Sequence, residues 1–222
     1  MLEVSGLRKK YGKKEILKDI SFRIECGEQV AVVGKNGCGK STLMRIMAGI
    51  LKPDAGQIRY FGQDALKMKG NLRKYCGYVP QENPLMEELS VMDNLKLWGG
   101  GKDERTLELL ELFQLKELLK MPVEKLSGGM KRRVSIVCAM IDNPPIMLMD
   151  EPTTALDLYY KESIRDWMRR YTENNGMIVM TTHDEGEIAG CDNCFVMKEG
   201  VLIRLPQGED RLALVKKYIN EG

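Results

Sequence analysis

The stretch Gly34-Lys35-Asn36-Gly37-Cys38-Gly39-Lys40-Ser41-Thr42 decides the fold of this chain. It follows the apolar run Val30–Val33, which predicts a buried strand, and it precedes Leu43–Ala48, which predicts a helix. A strand, a glycine-rich loop and a helix that opens on Lys-Ser are typical of a phosphate-binding loop. The glycines let backbone N–H groups approach an anion, Lys40 adds a positive charge, and the Ser41 hydroxyl suits Mg²⁺. A glycine-rich turn formed by chance is the alternative, and the flanking strand and helix argue against it.

Composition excludes several classes of protein. The chain has 222 residues, 43% of them hydrophobic, which is enough for one large domain. Its formal net charge of +2 gives no overall field that would favour nucleic acid, so we expect no nucleic-acid partner. The short basic runs Arg8–Lys10 and Lys131–Arg133 are expected to be solvated surface. No apolar run approaches the ~20 residues that a membrane-spanning helix needs, and the N-terminus has no apolar signal core, so we expect a cytoplasmic location.

The order of the predicted elements indicates the fold class. Residues 2–33 alternate apolar and polar positions, which predicts antiparallel strands before the phosphate loop. Later strands alternate with helices, which implies a mostly parallel sheet covered on both faces. The predicted fold is therefore α/β, a P-loop NTPase core with an N-terminal antiparallel β subdomain and an inserted α-helical subdomain. We expect a single domain over residues 1–222, with its core in 1–82 and 144–222 and the helical subdomain in 83–143. Helices are predicted in that insert over 91–98, 104–119 and 127–141.

Polar side chains follow two of the predicted core strands. Asp150 and Glu151 come directly after the apolar run Ile146–Met149, and His183 follows the strand 177–181. Ligands of such sheets bind at the carboxyl ends of the strands, where these residues should meet the phosphate loop. Asp150 could hold Mg²⁺ beside Ser41, and Glu151 could polarise an attacking water. The alternatives are a carboxylate pair that faces solvent and a histidine with a structural role.

Three further features remain open from the residues alone. Ser127-Gly128-Gly129 opens a predicted helix, either as a second anion site or as an N-cap serine with a glycine turn. Tyr11 lies in a basic turn, where its ring could stack on a base or could be an ordinary turn residue. Cys191 and Cys194 form a CxxC pair that we expect to pack in the core, because one such pair is weak evidence for zinc.

Taken together, these motifs resemble the ATP-binding subunit of ABC transporters. The resemblance covers nearly the whole chain, with its motifs in the order of that family. One departure is visible, because Met130 stands where the family usually has Gln. The motifs that carry the resemblance, besides the phosphate loop, are Pro80-Gln81, Leu126–Arg133 (LSGGMKRR), Asp150–Pro152 (DEP), Thr154–Asp157 (TALD) and Thr181–Asp184 (TTHD).

The resemblance implies a role for each site residue, with ATP and Mg²⁺ as ligands. Tyr11 would stack on adenine, and Asp157 would lie at the seam of a dimer. Ser127, Gly128 and Gly129 would close over ATP bound to a second copy of the chain. The residues implied in catalysis are Lys40, Gln81, Glu151 and His183. Those implied in Mg²⁺ binding are Ser41, Gln81 and Asp150. Those implied in binding the triphosphate are Gly34, Lys35, Asn36, Gly37, Cys38, Gly39, Lys40, Ser41 and Thr42.

The function implied by the resemblance is an ATPase that powers transport of an unknown solute through separate transmembrane permease subunits, with export preferred. The chain would pair head to tail with a second copy or a homologous subunit. It would lie on the cytoplasmic face of the cell membrane, with the segment 81–97 as its docking surface. The alternatives are a soluble ABC-type ATPase that is not coupled to transport and a regulatory nucleotide-binding module that does not hydrolyse ATP.

Overall fold

The computed structural model describes residues 1–68, 70–154, 156–207 and 210–220. The strands in these ranges are β1 (Leu2–Tyr11), β2 (Lys14–Ile24), β3 (Gln29–Val33), β4 (Ala55–Tyr60), β5 (Gln63–Asp64), β6 (Cys76–Val79), β7 (Ile146–Asp150), β8 (Met177–Thr181), β9 (Asn193–Lys198) and β10 (Val201–Arg204). The helices are α1 (Lys40–Met47), α2 (Val91–Leu97), α3 (Glu104–Leu112), α4 (Gly128–Met140), α5 (Leu158–Glu173), α6 (Glu185–Gly190) and α7 (Arg211–Asn220).

Two sheets organise these elements. The central sheet has the order β10-β9-β3-β8-β7-β6, and its strands from β9 to β6 are parallel. The other sheet has the order β2-β1-β4-β5 and is antiparallel. The predicted α/β fold with an N-terminal antiparallel part is therefore confirmed.

The central sheet is apolar on both faces. Alternate residues of β3 point into two different cores, because successive side chains of a strand face opposite sides. Ala31 and Val33 belong to a core with Val137 of α4 and Trp167 of α5, whereas Val30 and Val32 belong to a core with α1 and the antiparallel sheet. Burial on both faces leaves the strand ends as the places where polar side chains can lie.

The segment between β6 and β7 is helical, but one of its predicted helices is too long. The apolar spacing predicted a helix over 104–119, and the structure ends α3 at Leu112. Gln114 turns the chain with a left-handed φ of 53°, and the Leu115 N–H closes the helix end on the Leu110 carbonyl at 2.8 Å. Leu115 is fully buried beyond this turn, so the apolar pattern continues across a break that periodicity alone does not reveal.

Two further features lie in the C-terminal part. The strand β10 pairs antiparallel with β9 at the sheet edge and was not predicted. Its apolar Val201 is exposed, so its sequence lacks the alternation of apolar buried and polar exposed residues that marks a strand. Cys191 and Cys194 are 4% and 2% exposed and pack in the core, as expected. Within the described ranges, no helix has the length and apolar character that crossing a membrane requires.

Candidate active site

The phosphate loop joins β3 to α1 and wraps around one ammonium group. The Lys40 ammonium donates to the carbonyl oxygens of Gly34 at 2.7 Å and Lys35 at 3.3 Å, and the residue is 7% exposed. Gly39 caps the helix with φ 115°, a conformation that favours glycine. At Gly34 a Cβ atom would lie 2.4 Å from the Met197 carbonyl oxygen, so the loop needs glycine to pass β9. The loop thus places a buried positive charge at the start of α1.

A cavity of about 570 Å³ opens beside this loop. It brings together residues that are far apart in the sequence and that the sequence singled out. Its lining includes Tyr11, Asn36, Gly37, Gly39, Lys40, Ser41, Thr42, Gln81, Glu151 and His183. Lys35 and Cys38 instead line a second cavity of about 400 Å³, to which Asn36 and Gly37 also contribute.

Tyr11 lies at the end of β1, directly before the turn into β2. Its side chain lines the 570 Å³ cavity and is 51% exposed. The Lys9 ammonium is 5.8 Å from the centre of the ring. A half-exposed ring at a cavity mouth leaves one face available, so stacking on a base stays a prediction.

Glu151 is the centre of the polar groups in the cavity. Its Oε2 atom accepts from Gln81 Nε2 at 3.3 Å and from the Thr154 hydroxyl at 3.1 Å. Its Oε1 atom lies 3.6 Å from His183 Nε2. The backbone of Glu151 has φ 50°, which is strained for this residue type, and its N–H donates to the carbonyl and hydroxyl oxygens of Thr181, both at 3.1 Å. The strand end therefore aims the carboxylate at the two side chains predicted to act with it.

Asp150 is the last residue of β7, directly before Glu151, and is 2% exposed. Its carboxylate accepts a hydrogen bond from the Thr181 hydroxyl on the neighbouring strand. Ser41 and Gln81 line the cavity, and a hydroxyl, an amide and a carboxylate such as that of Asp150 are the kinds of oxygen ligand that Mg²⁺ takes. Among the described residues no cluster of three His, Cys, Asp or Glu side chains could hold a metal ion. Mg²⁺ takes few protein ligands and keeps water or substrate oxygens, so ligands of these types suit it.

His183 is held in its neutral form more strongly than a free histidine. Burial lowers its pKa below the usual 6.5, the nearby Lys40 ammonium lowers the pKa further, and the Glu151 carboxylate partly offsets both. Below pH 6.5 the unfolded chain then binds more protons than the folded chain, so stability falls as pH falls through this window.

We therefore expect a pH-dependent difference between the wild type and His183→Gln. As the pH falls below 6.5, the wild type should lose more thermal stability than the variant, because only the wild type must fold with a neutral histidine. The difference is small, since the side chain is 46% exposed and solvent screens it. Thermal unfolding across a pH series measures it, and parallel curves for the two proteins would contradict this assignment.

The basic run Lys131–Arg133 is not solvated surface, and that prediction was wrong. Arg133 is 4% exposed, donates to the Phe113 carbonyl at 2.7 Å and lies 4.2 Å from the Tyr160 ring centre. The Arg132 guanidinium donates to the main-chain carbonyls of Asp150 and Glu151. A run of like charges on a helix distributes over several faces, and α4 turns two of the three inward. Sequence reasoning missed Arg132 because its partners are main-chain atoms from other segments.

The Ser127 segment lies outside the cavity. Ser127 caps α4, and its hydroxyl accepts from the Met130 N–H at 3.3 Å, which confirms the N-cap interpretation. Ser127 and Gly128 are exposed. Asp157 caps α5, with its carboxylate accepting from the Tyr160 N–H at 3.1 Å, and is also exposed. Among the described residues that line the 570 Å³ cavity, none comes from 127–129.

Comparison with known proteins assigns the family. The profile of the family described as "ABC transporter" matches residues 17–154. The linearmycin resistance ATP-binding protein LnrL of Bacillus subtilis (strain 168) is 34% identical over 213 residues, which are 92% of this chain and 68% of that protein. The Nod factor export ATP-binding protein I of Rhizobium sp. (strain N33) is 34% identical over 227 residues, covering 98% of this chain and 73% of that protein.

A solved structure shows the same architecture. It is the dimeric, post-hydrolysis form of the ATP-binding cassette MJ0796 bound to ADP and Pi, with a TM-score of 0.83 and 28% identity. The match covers 91% of this chain and 96% of that one. Together with the phosphate loop and the polar groups that meet beside it, these matches show that the chain belongs to the ABC transporter family, as an ATP-binding subunit that hydrolyses ATP.

Proposed function

We propose that this chain is the ATPase subunit of a membrane exporter and that two copies enclose each nucleotide between them. One observation carries the proposal. Lys40, Gln81, Glu151 and His183 converge on one cavity, whereas the exposed helix end at Ser127 lies outside it. The cavity of one chain would then be completed by the Ser127 helix end of a second chain.

The phosphate loop would bind the triphosphate of ATP. The Lys40 ammonium is already fixed at the loop by the Gly34 carbonyl, so it can meet the β- and γ-phosphates with little loss of side-chain entropy. The N-terminus of α1 adds unpaired N–H groups and the positive end of the helix dipole. Tyr11 at the cavity mouth would stack on the adenine ring.

Glu151 would polarise the attacking water, and three neighbours would hold it in place. Gln81 and the Thr154 hydroxyl donate to one carboxylate oxygen, which leaves the other for water and for His183. Neutral His183 can donate a hydrogen bond to the γ-phosphate. Positioning and charge stabilisation would supply most of the rate enhancement, as in other phosphoryl-transfer enzymes.

Mg²⁺ would be held by Ser41, Asp150 and Gln81, and it would offset phosphate charge when bound. The buried position of Asp150, whose carboxylate accepts a hydrogen bond from the Thr181 hydroxyl, supports this assignment. A buried anionic group is stabilised by nearby cations; the Arg132 guanidinium is one of them, and Mg²⁺ would be a second. We therefore assign the cofactor role to this strand end.

The cap from the second copy would be the Ser127 end of α4. Ser127 and Gly128 are exposed, and a helix N-terminus favours an anion. Asp157 is exposed as well, and we place it at the dimer seam. The dimeric form of the MJ0796 cassette supports such a pair by analogy.

The membrane partner would dock on the segment Gln81–Leu97, with the chain on the cytoplasmic face of the membrane. Met86 is 56% exposed there, whereas Leu85 is 7% exposed and packs inward. An apolar side chain on that surface can contact a permease subunit. The name of the Nod factor relative favours export over import. We also propose that the chain divides into a core, 1–82 and 144–222, and a helical part, 83–143.

Mixing two inactive variants tests whether two copies share each nucleotide. Lys40→Ala disables the phosphate loop, and Ser127→Arg blocks the cap. Each variant alone should lack ATP turnover, because both sites of its homodimer carry the lesion. A mixed pair has one site with both lesions and one site with neither. We expect turnover to return on mixing, measured as phosphate release from Mg-ATP.

A second mixture is the matched control. Lys40→Ala and Glu151→Gln affect the same half of a site, so neither site of that mixed pair is intact and turnover should stay absent. Failure of the first mixture to recover turnover, with both variants folded, would reject the shared site. A soluble ATPase would share nucleotides in the same way but would not co-purify with permease subunits. A regulatory module would show no turnover even as wild type.

A further inference from the structure

Arg132 joins the segments that carry the predicted catalytic side chains. We propose that Arg132 is a positioning residue that fixes the backbone of Glu151 and Gln81 to the helix that carries Ser127. The inference deepens the proposed function and rests on it, because it assumes that Glu151 acts on the attacking water. It assigns a role to a side chain that the sequence had placed on the surface.

The guanidinium of Arg132 binds main-chain carbonyls on both strand ends. Its Nη2 atom donates to the Asp150 and Glu151 carbonyls at 2.6 and 2.8 Å, and its Nε atom donates to the Pro152 carbonyl at 3.0 Å. Its Nη1 atom donates to the Pro80 carbonyl, directly before Gln81. One planar group with fixed donor directions therefore spans the ends of β7 and β6.

These carbonyls need an outside donor. Asp150 ends β7, and Val79 ends β6, so the next carbonyls along each chain lie beyond the sheet. Glu151 has a left-handed φ of 50°, and such a conformation persists only when the surroundings hold it. Thr181 holds its N–H side, and Arg132 holds the carbonyls of Asp150, Glu151 and Pro152.

The charge of Arg132 is retained in this site. Burial lowers its pKa to about 10, while the carboxylates of Asp150, Glu187 and Glu151 act in the opposite direction. The group is therefore still protonated at neutral pH. Lysine at this position would keep the charge, but a single ammonium cannot reproduce the fork of directions that the four carbonyls receive.

Arg132 lies on α4, so its contacts also connect Glu151 with that helix. The same helix begins at the exposed Ser127 cap. In the proposed dimer, a partner's nucleotide seated on that cap would bear on α4, and Arg132 would pass the displacement to Glu151 of the other site. Closure of the dimer over one nucleotide would in this way change the position of the Glu151 carboxylate at the other nucleotide.

The test separates turnover from nucleotide binding. Arg132→Gln and Arg132→Lys should both lower kcat for ATP by roughly 10- to 100-fold, the range expected when a catalytic group shifts by about 1 Å. The affinity for ATP should stay at the wild-type value, because the hydrogen bonds of Arg132 within the described ranges go to main-chain carbonyls at the ends of β6 and β7 and not to the phosphate loop. Steady-state kinetics and equilibrium binding of a fluorescent ATP analogue give the two quantities.

Arg133→Gln is the matched control. It removes a buried guanidinium from the same helix, but this guanidinium contacts the Phe113 carbonyl and the Tyr160 ring and not Glu151. It should lower thermal stability and leave kcat near the wild-type value at a temperature where the protein is folded. If kcat falls equally in the Arg132 and Arg133 variants, both side chains act only by stabilising the fold, and the inference is wrong.

Two other outcomes are decisive. Wild-type kcat in Arg132→Lys would show that charge alone suffices, and the positioning role would be rejected. If Glu151→Gln abolishes turnover while both Arg132 variants keep it, the proposed function stands and only this inference fails. If Glu151→Gln itself keeps turnover, the proposed function fails first.

Discussion

Glu151→Gln lowers kcat for ATP hydrolysis by roughly 100- to 10,000-fold, the contribution typical of a positioned proton acceptor. The carboxamide keeps the shape of the side chain but cannot take a proton from water. Gln81 Nε2 and the Thr154 hydroxyl both donate to Oε2 of the carboxylate, so an amide oxygen at that position can retain these contacts. Affinity for ATP should therefore survive while turnover is lost.

An ATP-bound dimer should accumulate in the same variant. If hydrolysis releases the pair, blocking hydrolysis leaves the pair closed, and size-exclusion chromatography in ATP should show a dimer. Glu185→Gln is the control, since that carboxylate forms a surface ion pair with Lys216 at 3.1 Å and lies apart from the cavity lining. A Glu151→Gln protein that stays monomeric in ATP, or that turns over like the wild type, would contradict both assignments.

Asp150→Asn should abolish Mg²⁺-dependent turnover while leaving the fold intact. The two side chains have the same shape, so the site keeps its packing and loses one buried negative charge at 2% exposure. ATP should still stabilise the variant against heat in the absence of Mg²⁺, because the Lys40 ammonium is unchanged. Addition of Mg²⁺ should then raise the melting temperature of the ATP complex in the wild type and leave it unchanged in Asp150→Asn.

Asp103→Asn is the control, because it removes a carboxylate whose role is to cap a helix. Asp103 caps α3 and accepts from the Thr106 N–H at 2.8 Å, far from the phosphate loop in the sequence and outside the cavity lining. Its variant should respond to Mg²⁺ as the wild type does. If Mg²⁺ raises the melting temperature of the Asp150→Asn complex with ATP as much as that of the wild type, Asp150 is not a ligand of Mg²⁺.

Much of the site could be predicted because it lies where the pattern changes. Buried runs of four apolar residues end abruptly at polar ones, as at Met149-Asp150 and Met180-Thr181. Parallel strands bring such ends to one edge, so proximity of Glu151, His183 and the phosphate loop follows from topology. Roles for Ser127 and Asp157 came from the family resemblance, because their proposed ligand belongs to another chain.

Other features depend on contacts that no local pattern records. The turn at Gln114 keeps its neighbours buried, so the apolar spacing runs through it unchanged. The left-handed φ of Glu151 is set by Thr181 on another strand and by Arg132 on a helix. Arg132 and Arg133 look like surface charge in the sequence, since their acceptors are main-chain oxygens and an aromatic ring remote along the chain.

The double-sided burial of β3, β7 and β8 also bears on how the chain folds. A strand that is apolar on both faces loses little by pairing one residue out of step, so side-chain alternation does not select its alignment. The polar strand ends do, because Thr181 meets Asp150 only in the native pairing. Substitution of Asp150 or Thr181 should therefore slow refolding, because intermediates with misaligned strands are no longer disfavoured. Asp150 thus serves both the proposed chemistry and the correct pairing of β7 with β8.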